Sequence, residues 1–260
     1  MRPNRRIALI VEYDGTNYQG FQLQNCKPTI QGELEEALTR LTQQSIRVRG
    51  ASRTDSGAHA LGQVVDFQVR SKLETNQFIK GLNFYLPKDI GIRSANDVPE
   101  EFNARKNALT RIYRFNIINL PHPSPLKRYT HHWIIEPLDV NTMRDAAKEL
   151  VGSLDFRNIA ANYPDEVNTI RTIKRWEIWR DNETIIIESE ANGFLRHQIR
   201  RVNSILVNIG KGKWQKEILH ETLVAGFPLG WKPPSLPSKG LCLMKVTYPY
   251  TWQKVEHETY

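Results

Sequence analysis

Cysteine is scarce: Cys26 and Cys242 are the two in 260 residues. A chain of this length buries enough surface to do without covalent staples. Two cysteines do not complete a usual zinc site. Both therefore read as free thiols in a reducing compartment. Long apolar runs are missing as well. The run nearest the start is "IALIV", ended by Glu12. It is shorter than a signal peptide's core and far shorter than a membrane span. A soluble, cytoplasmic protein is expected. No G-x-x-x-x-G-K-[ST] and no G-x-G-x-x-G occurs, so the glycine loops that cradle nucleotide phosphates are absent. Acid is in deficit, with 28 Asp and Glu against 36 Lys and Arg, a formal charge of +8. That sign favours a polyanionic partner, nucleic acid above all, although a basic solvated surface has the same sign.

What is present is periodic. "IALIVEYDG" reads as a buried strand ending in an Asp-Gly turn. "TIQGELEEALTRLTQQ" reads as a helix with Thr29 as N-cap and Ile30, Leu34, Ala37, Leu38 and Leu41 on one face. "IRVRGA" and "QVVDFQV" are expected strands, "ETNQFIKGLNFYLP" a helix stopped before Pro87, and "IGIRSA" a strand. A second series follows. "RIYRFNII" is a strand and "LDVNTMRDAAKELVG" a helix. "TIKRWEIWR" and "ETIIIESEA" are strands joined at Asp181-Asn182. "GFLRHQIRRVNSILVNIG" is a helix with Leu195, Ile199, Val202, Leu206 and Ile209 as its apolar stripe. An extra helix, "WQKEILHETLVAG", and a Pro-rich segment precede the last strand, "LCLMKVTY".

The order is βαββαβ, used twice, which is the ferredoxin-like arrangement. The expected fold is α+β, two such halves with a mainly antiparallel sheet, edge to edge, and a central cleft. The halves are residues 1–105 and 106–260, the second carrying the last strand. The long connections at 119–137 and 226–240 are expected to be functional or mobile.

The segment "ASRTDSGAHALGQVVDF", residues 51–67, draws attention. A loop aspartate before Ser-Gly usually shapes a turn. Arg53 two residues before Asp55 changes that reading, because an opposing charge keeps a carboxylate ionised, and an ionised carboxylate can be a nucleophile or a base. A metal site competes poorly. The nearest acid is Asp66 in the next strand, and His59 lacks further ligands around it. Farther on, Tyr113 lies between Arg111 and Arg114, a pattern suited to stacking on a base beside a phosphate backbone. Arg196 and Arg200 are expected on one helix face at i, i+4, with Arg201 beside them.

"RTDSGAHALGQVV" resembles the catalytic motif of the TruA-type tRNA pseudouridine synthases. "VEYDGTNYQGFQLQ", with Phe21-Gln22, "PTIQGELEEAL", "FNARKNALTRIYRF", "ANGFLRHQIRRV" and "KGLCLMKVTYP" resemble that family's other segments in the same order, over nearly the whole chain. Ser52, Ser56 and Ala58 depart from the motif's common residues, as do Arg196 and Gln198 in the arginine segment. The departures spare the acid and bear on substrate detail. The resemblance implies conversion of uridine to pseudouridine in the anticodon stem-loop of tRNA, at positions 38, 39 and 40. It implies Asp55 as nucleophile, on either ribose C1′ or the uracil ring. It implies that Tyr113 stacks on the flipped base and helps remove the C5 proton, that Arg200 pairs with Asp55, and that Leu243 packs against the base. Arg53 is expected at the rim, and His59, Arg111, Arg114 and Arg196 among the substrate-binding residues. A homodimer, with the RNA spanning both subunits, is implied too. No metal and no cofactor is implied, since the isomerisation needs neither redox change nor energy input.

Two other classes remain open to the sequence. A non-catalytic RNA-binding protein could use the same two sheets, since the RNA-recognition motif is also ferredoxin-like. It would not need Asp55, and the stacked-aromatic signature of that motif is missing. A metal-dependent nuclease would lose activity to a chelator.

Overall fold

The computed structural model describes residues 4–227 and 232–249. They form two compact units. The first holds the residues up to Leu109 and those from Leu243 on; the second runs from Thr110 to Cys242.

In the first unit, β1 (Asn4–Tyr13), α1 (Ile30–Thr42), β2 (Arg49–Gly50), β3 (His59–Arg70), α2 (Thr75–Tyr85) and β4 (Ile90–Val98) follow in order. β1 lies between β3 and β4, antiparallel to both. Ile7, Leu9 and Val11 of β1 and Val65 and Phe67 of β3 are buried. Thr29 caps α1, its hydroxyl accepting from the Gly32 N–H at 3.2 Å. Ile30, Leu34, Ala37 and Leu38 are buried as their spacing predicts. Gln43 ends the helix in the left-handed conformation. A capping box between Glu74 and Gln77 opens α2, which stops before Leu86-Pro87. The expected strand over 46–51 shrinks to Arg49–Gly50, the two residues in ladder register with Asp66 and Val65 of β3.

The second unit holds β5 (Thr110–Ile118), β6 (His132–Trp133), α3 (Val140–Ala147), β7 (Gly152–Asp155), β8 (Ile170–Asp181), β9 (Thr184–Ala191), α4 (Gln198–Gly210) and α5 (Ile218–Ala225). Its strands run in the order β5-β9-β8-β7, antiparallel throughout. Short β6 adds a parallel pair to β5 within the expected loop 119–137. Asn182, at φ +51°, makes the β8–β9 turn. Asp139 caps α3 through the N–H groups of Asn141 and Thr142.

Three expected helices are shorter in fact. α3 tightens into a 3-10 turn at Lys148–Leu150 and gives way to β7. α5 starts at Ile218 rather than Trp214. α4 starts at Gln198, because His197 sits at φ +65°, outside any right-handed helix. Of the expected segment 226–240, residues 228–231 lie outside the described residues.

The last strand, β10 (Leu241–Thr247), completes the second βαββαβ series in chain order, and it lies beside β3. The sequence pattern places all of it in the second half; packing groups it from Leu243 on with the first unit. The chain is thus mixed α+β with mainly antiparallel strands. Among the described residues, no helix is long and apolar enough to cross a membrane.

Candidate active site

Asp55 stands on the loop between β2 and β3, and that loop is pinned at nearly every residue. Ala51 donates to the Val64 carbonyl at 2.8 Å. Gln63, fully buried on β3, grips Ser52 from both sides: its amide donates to the Ser52 carbonyl at 2.7 Å and accepts from the Ser52 N–H at 3.2 Å. Buried Thr54 shares a hydroxyl hydrogen bond of 2.8 Å with Tyr13 at the end of β1. Its carbonyl accepts from the Phe21 N–H at 3.2 Å. The Tyr18 carbonyl accepts from the Gly57 N–H at 3.2 Å and the Ser56 hydroxyl at 3.1 Å.

Two glycines are required here. Gly57 turns the chain at φ +75°, where the Ala58 N–H closes onto the Asp55 carbonyl at 3.1 Å. Gly20, at φ +88°, passes so near that a Cβ on it would lie 2.6 Å from the Thr54 carbonyl oxygen. The result is a half-buried Asp55 with exposed Arg53 beside it. Holding a reactive group on a loop over-determined by its neighbours is how a fold prepares geometry for catalysis.

His59 is buried. Its Nδ1 lies 3.2 Å from the donating Gly15 N–H and 3.1 Å from Asp14 Oδ1. It ties the loop after β1 to the start of β3. Leu243 on β10 is fully buried. Asp66, the acid nearest in sequence, is engaged elsewhere. It is fully buried and binds Arg6 at 2.6 Å, Arg49, and the Ala104 N–H at 2.8 Å. No group of three or more His, Cys, Asp or Glu among the described residues is placed to hold a metal ion.

In the second unit, Tyr113 on β5 is 4% exposed. Its ring meets Phe194 edge to face, with centroids 5.5 Å apart. Phe194 in turn meets Trp176 at 6.3 Å. Arg111, two residues back and so on the same face of the strand, donates to the Asn192 carbonyl at 2.8 Å. Arg114 points to the opposite face. There it pairs with Glu188 at 2.9 Å and lies over Trp179 at 5.8 Å. Glu188 also binds Arg175 at 2.6 Å. The two arginines that flank Tyr113 in sequence are therefore separated by the pleat.

Arg200 lies in the first turn of α4, half-buried. Its Nε donates to the Leu236 carbonyl at 2.6 Å, while the Leu236 N–H donates to the Arg200 carbonyl at 3.2 Å. Arg196 is exposed and precedes the helix. The expected i, i+4 face shared by Arg196 and Arg200 does not exist. The Gln198 side chain turns back to accept from the Leu195 N–H at 2.8 Å, His197 is left-handed, and Arg196 offers its N–H to the Tyr163 hydroxyl at 2.8 Å.

Tyr13, Thr54, Gln63, Phe194 and Trp176 were missed by motif reading, because a strand-end tyrosine or a buried glutamine reads as ordinary core. The one available signal was that Gln63 is polar at a strand position the alternation buries.

The chain matches the family model described as tRNA pseudouridine synthase over residues 9–105 and 146–249. It belongs to that family. It is 38% identical over 244 residues to the tRNA pseudouridine synthase A of Geotalea daltonii, covering 94% of this chain and 100% of the relative. To the protein of the same name from Geobacter sulfurreducens it is 38% identical over 246 residues, with 94% and 100% covered. To that of Methylococcus capsulatus it is 36% identical over 250 residues, with 94% and 90% covered.

Proposed function

We propose that this protein isomerises uridine to pseudouridine in the anticodon stem-loop of tRNA, with Asp55 as the nucleophile. The observation that supports it best is the pinned loop, which presents a half-buried carboxylate in a chain belonging to this family. The target uridine must leave its stack, at about a few kcal/mol. The net positive charge of the chain supports the phosphate contacts that offset this.

Chemically, the C1′–N1 bond breaks, the uracil turns, and a C1′–C5 bond forms. The C5 proton is lost and N1 gains one, so nothing is oxidised and no cofactor enters. Asp55 attacks either C1′ or the ring, and the bond it forms is broken again before pseudouridine leaves, which returns the carboxylate. Tyr113 stacks on the base and helps remove the C5 proton. Arg200 supplies the counter-charge for Asp55, and Leu243 backs the base. Arg53 and Arg196, both exposed, meet the RNA, with His59 and Arg111 serving to hold the loops that do. Arg114 is included by its sequence neighbourhood alone, since its charge is taken up by Glu188. We propose further that the enzyme works in the cytoplasm as a homodimer, with one RNA spanning both subunits.

The test is tRNA labelled with tritium at uridine C5. Release of tritium, undiminished by a chelator, is expected, with pseudouridine mapping to the anticodon stem-loop. Folded protein that binds tRNA and releases no tritium would support the non-catalytic alternative instead.

A further inference from the structure

Three cations converge on the turn that follows β7. Arg157 stands in that turn and clamps the loop ahead of β8, donating to the carbonyls of Asp165 at 3.1 Å and Val167 at 2.9 Å. Arg201, in the first turn of α4, donates to the carbonyls of Ile159 at 3.0 Å and Ala160 at 2.7 Å. Lys232 donates to the carbonyl of Arg157 itself. Backbone carbonyls thus gather the three side chains, and carbonyls carry no charge to offset theirs.

The surroundings add to the positive sign. α4 has no acidic residue in its first turn and no side-chain cap, and the positive end of a helix dipole favours an anion. Arg201 Nε is buried and has no hydrogen-bond partner. Burial first, then Arg201 and Arg157, push the Lys232 ammonium below its ordinary range. Burial and Arg200 do the same to Arg201. Two acids lie near Arg157: Asp155, whose carboxylate accepts from the Arg157 N–H at 2.9 Å, and Asp165, 3.3 Å from its guanidinium with a fully exposed side chain, a pair that is weak in water. Like charges held together repel, and an anion set among them would relieve that repulsion through charge-assisted hydrogen bonds.

We propose that Lys232 and Arg201, with Arg157 behind them, hold one backbone phosphate of the RNA substrate. The proposal rests on the RNA-modifying function above. Arg201 contributes charge and fixes the cradle. Half-exposed Lys232 makes the direct contact: an ammonium has three donors, and the Arg157 carbonyl takes one.

Lys232→Met and Lys232→Arg test it, read by tRNA affinity across a salt series and by tritium release. Lys232→Met should lower the slope of log affinity against log salt by about 0.7–0.9, one contact's worth. KM for tRNA should rise severalfold with kcat kept, and Lys232→Arg should restore both. An unchanged slope in folded Lys232→Met overturns the site, as does a loss that Lys232→Arg fails to restore. Because the slope is read from binding, it stands apart from turnover. Wild-type protein that binds tRNA yet releases no tritium contradicts the function, whereas active wild type with an indifferent Lys232→Met contradicts only the phosphate site.

Discussion

The hydroxyls of Tyr13 and Thr54 lie 2.8 Å apart, joining the end of β1 to the residue immediately before Asp55. Both groups are buried. A central strand thereby sets the height and direction of the acid-bearing loop, and Gln63 of the neighbouring strand holds the same loop at Ser52.

Thr54→Val removes that bond with little change of shape. The Tyr13 hydroxyl keeps a longer contact, 3.5 Å, to the Gln63 amide. A stability loss of about 1 kcal/mol is expected. The kcat for tritium release should fall while tRNA affinity holds, since the bond positions Asp55 and does not face RNA. Unchanged kcat in the folded variant would mean that the loop is held without it.

Asp66→Asn probes a different structural device. The carboxylate is fully buried and answers two guanidinium groups, Arg6 and Arg49. Making it neutral leaves those cations unmatched. Urea unfolding should show a loss of about 3–5 kcal/mol. A loss under about 1 kcal/mol would show that Arg6 and Arg49 find other partners.

His132 on β6 should make stability depend on pH. Burial, with Lys239 and Lys211 nearby, lowers its pKa from 6.5 to about 4. Its ring also meets Phe115. The unfolded chain binds the proton first, so the contribution is whole above pH 6.5 and is lost as pH falls toward about 4. Thermal midpoints of wild type and His132→Phe should converge or cross on acidification between those values. Parallel curves would remove His132 from the account.

Much of the molecule is legible before its structure is seen. Thr29 announces α1, Pro87 ends α2, and Asp181-Asn182 marks the β8–β9 turn, because caps and turns are local in sequence. The motif around Asp55 is equally local. What escaped depends on contacts distant in sequence. The left-handed turn at His197 removes Arg196 from α4, and no periodicity marks it. The pleat at Tyr113 separates Arg111 from Arg114, which a reading by proximity had joined. Asp66 reads in the sequence only as the acid nearest Asp55, and its pairing with Arg6, 60 residues away in the chain, leaves no local mark. The grouping of Lys232 with Arg157 spans 75 residues and leaves no trace in either neighbourhood.

The central claim is that Asp55 does the chemistry. Asp55→Asn is nearly isosteric, so the Ala58-to-Asp55 backbone turn and the loop's other bonds should survive. The amide is a poor nucleophile. The decisive measurement is single-turnover tritium release from tRNA labelled at uridine C5, with tRNA affinity measured on the same preparation. The expected result is a folded variant that binds tRNA as well as wild type and releases no detectable tritium, with or without magnesium. Release at anything near the wild-type rate would contradict the mechanism at its root.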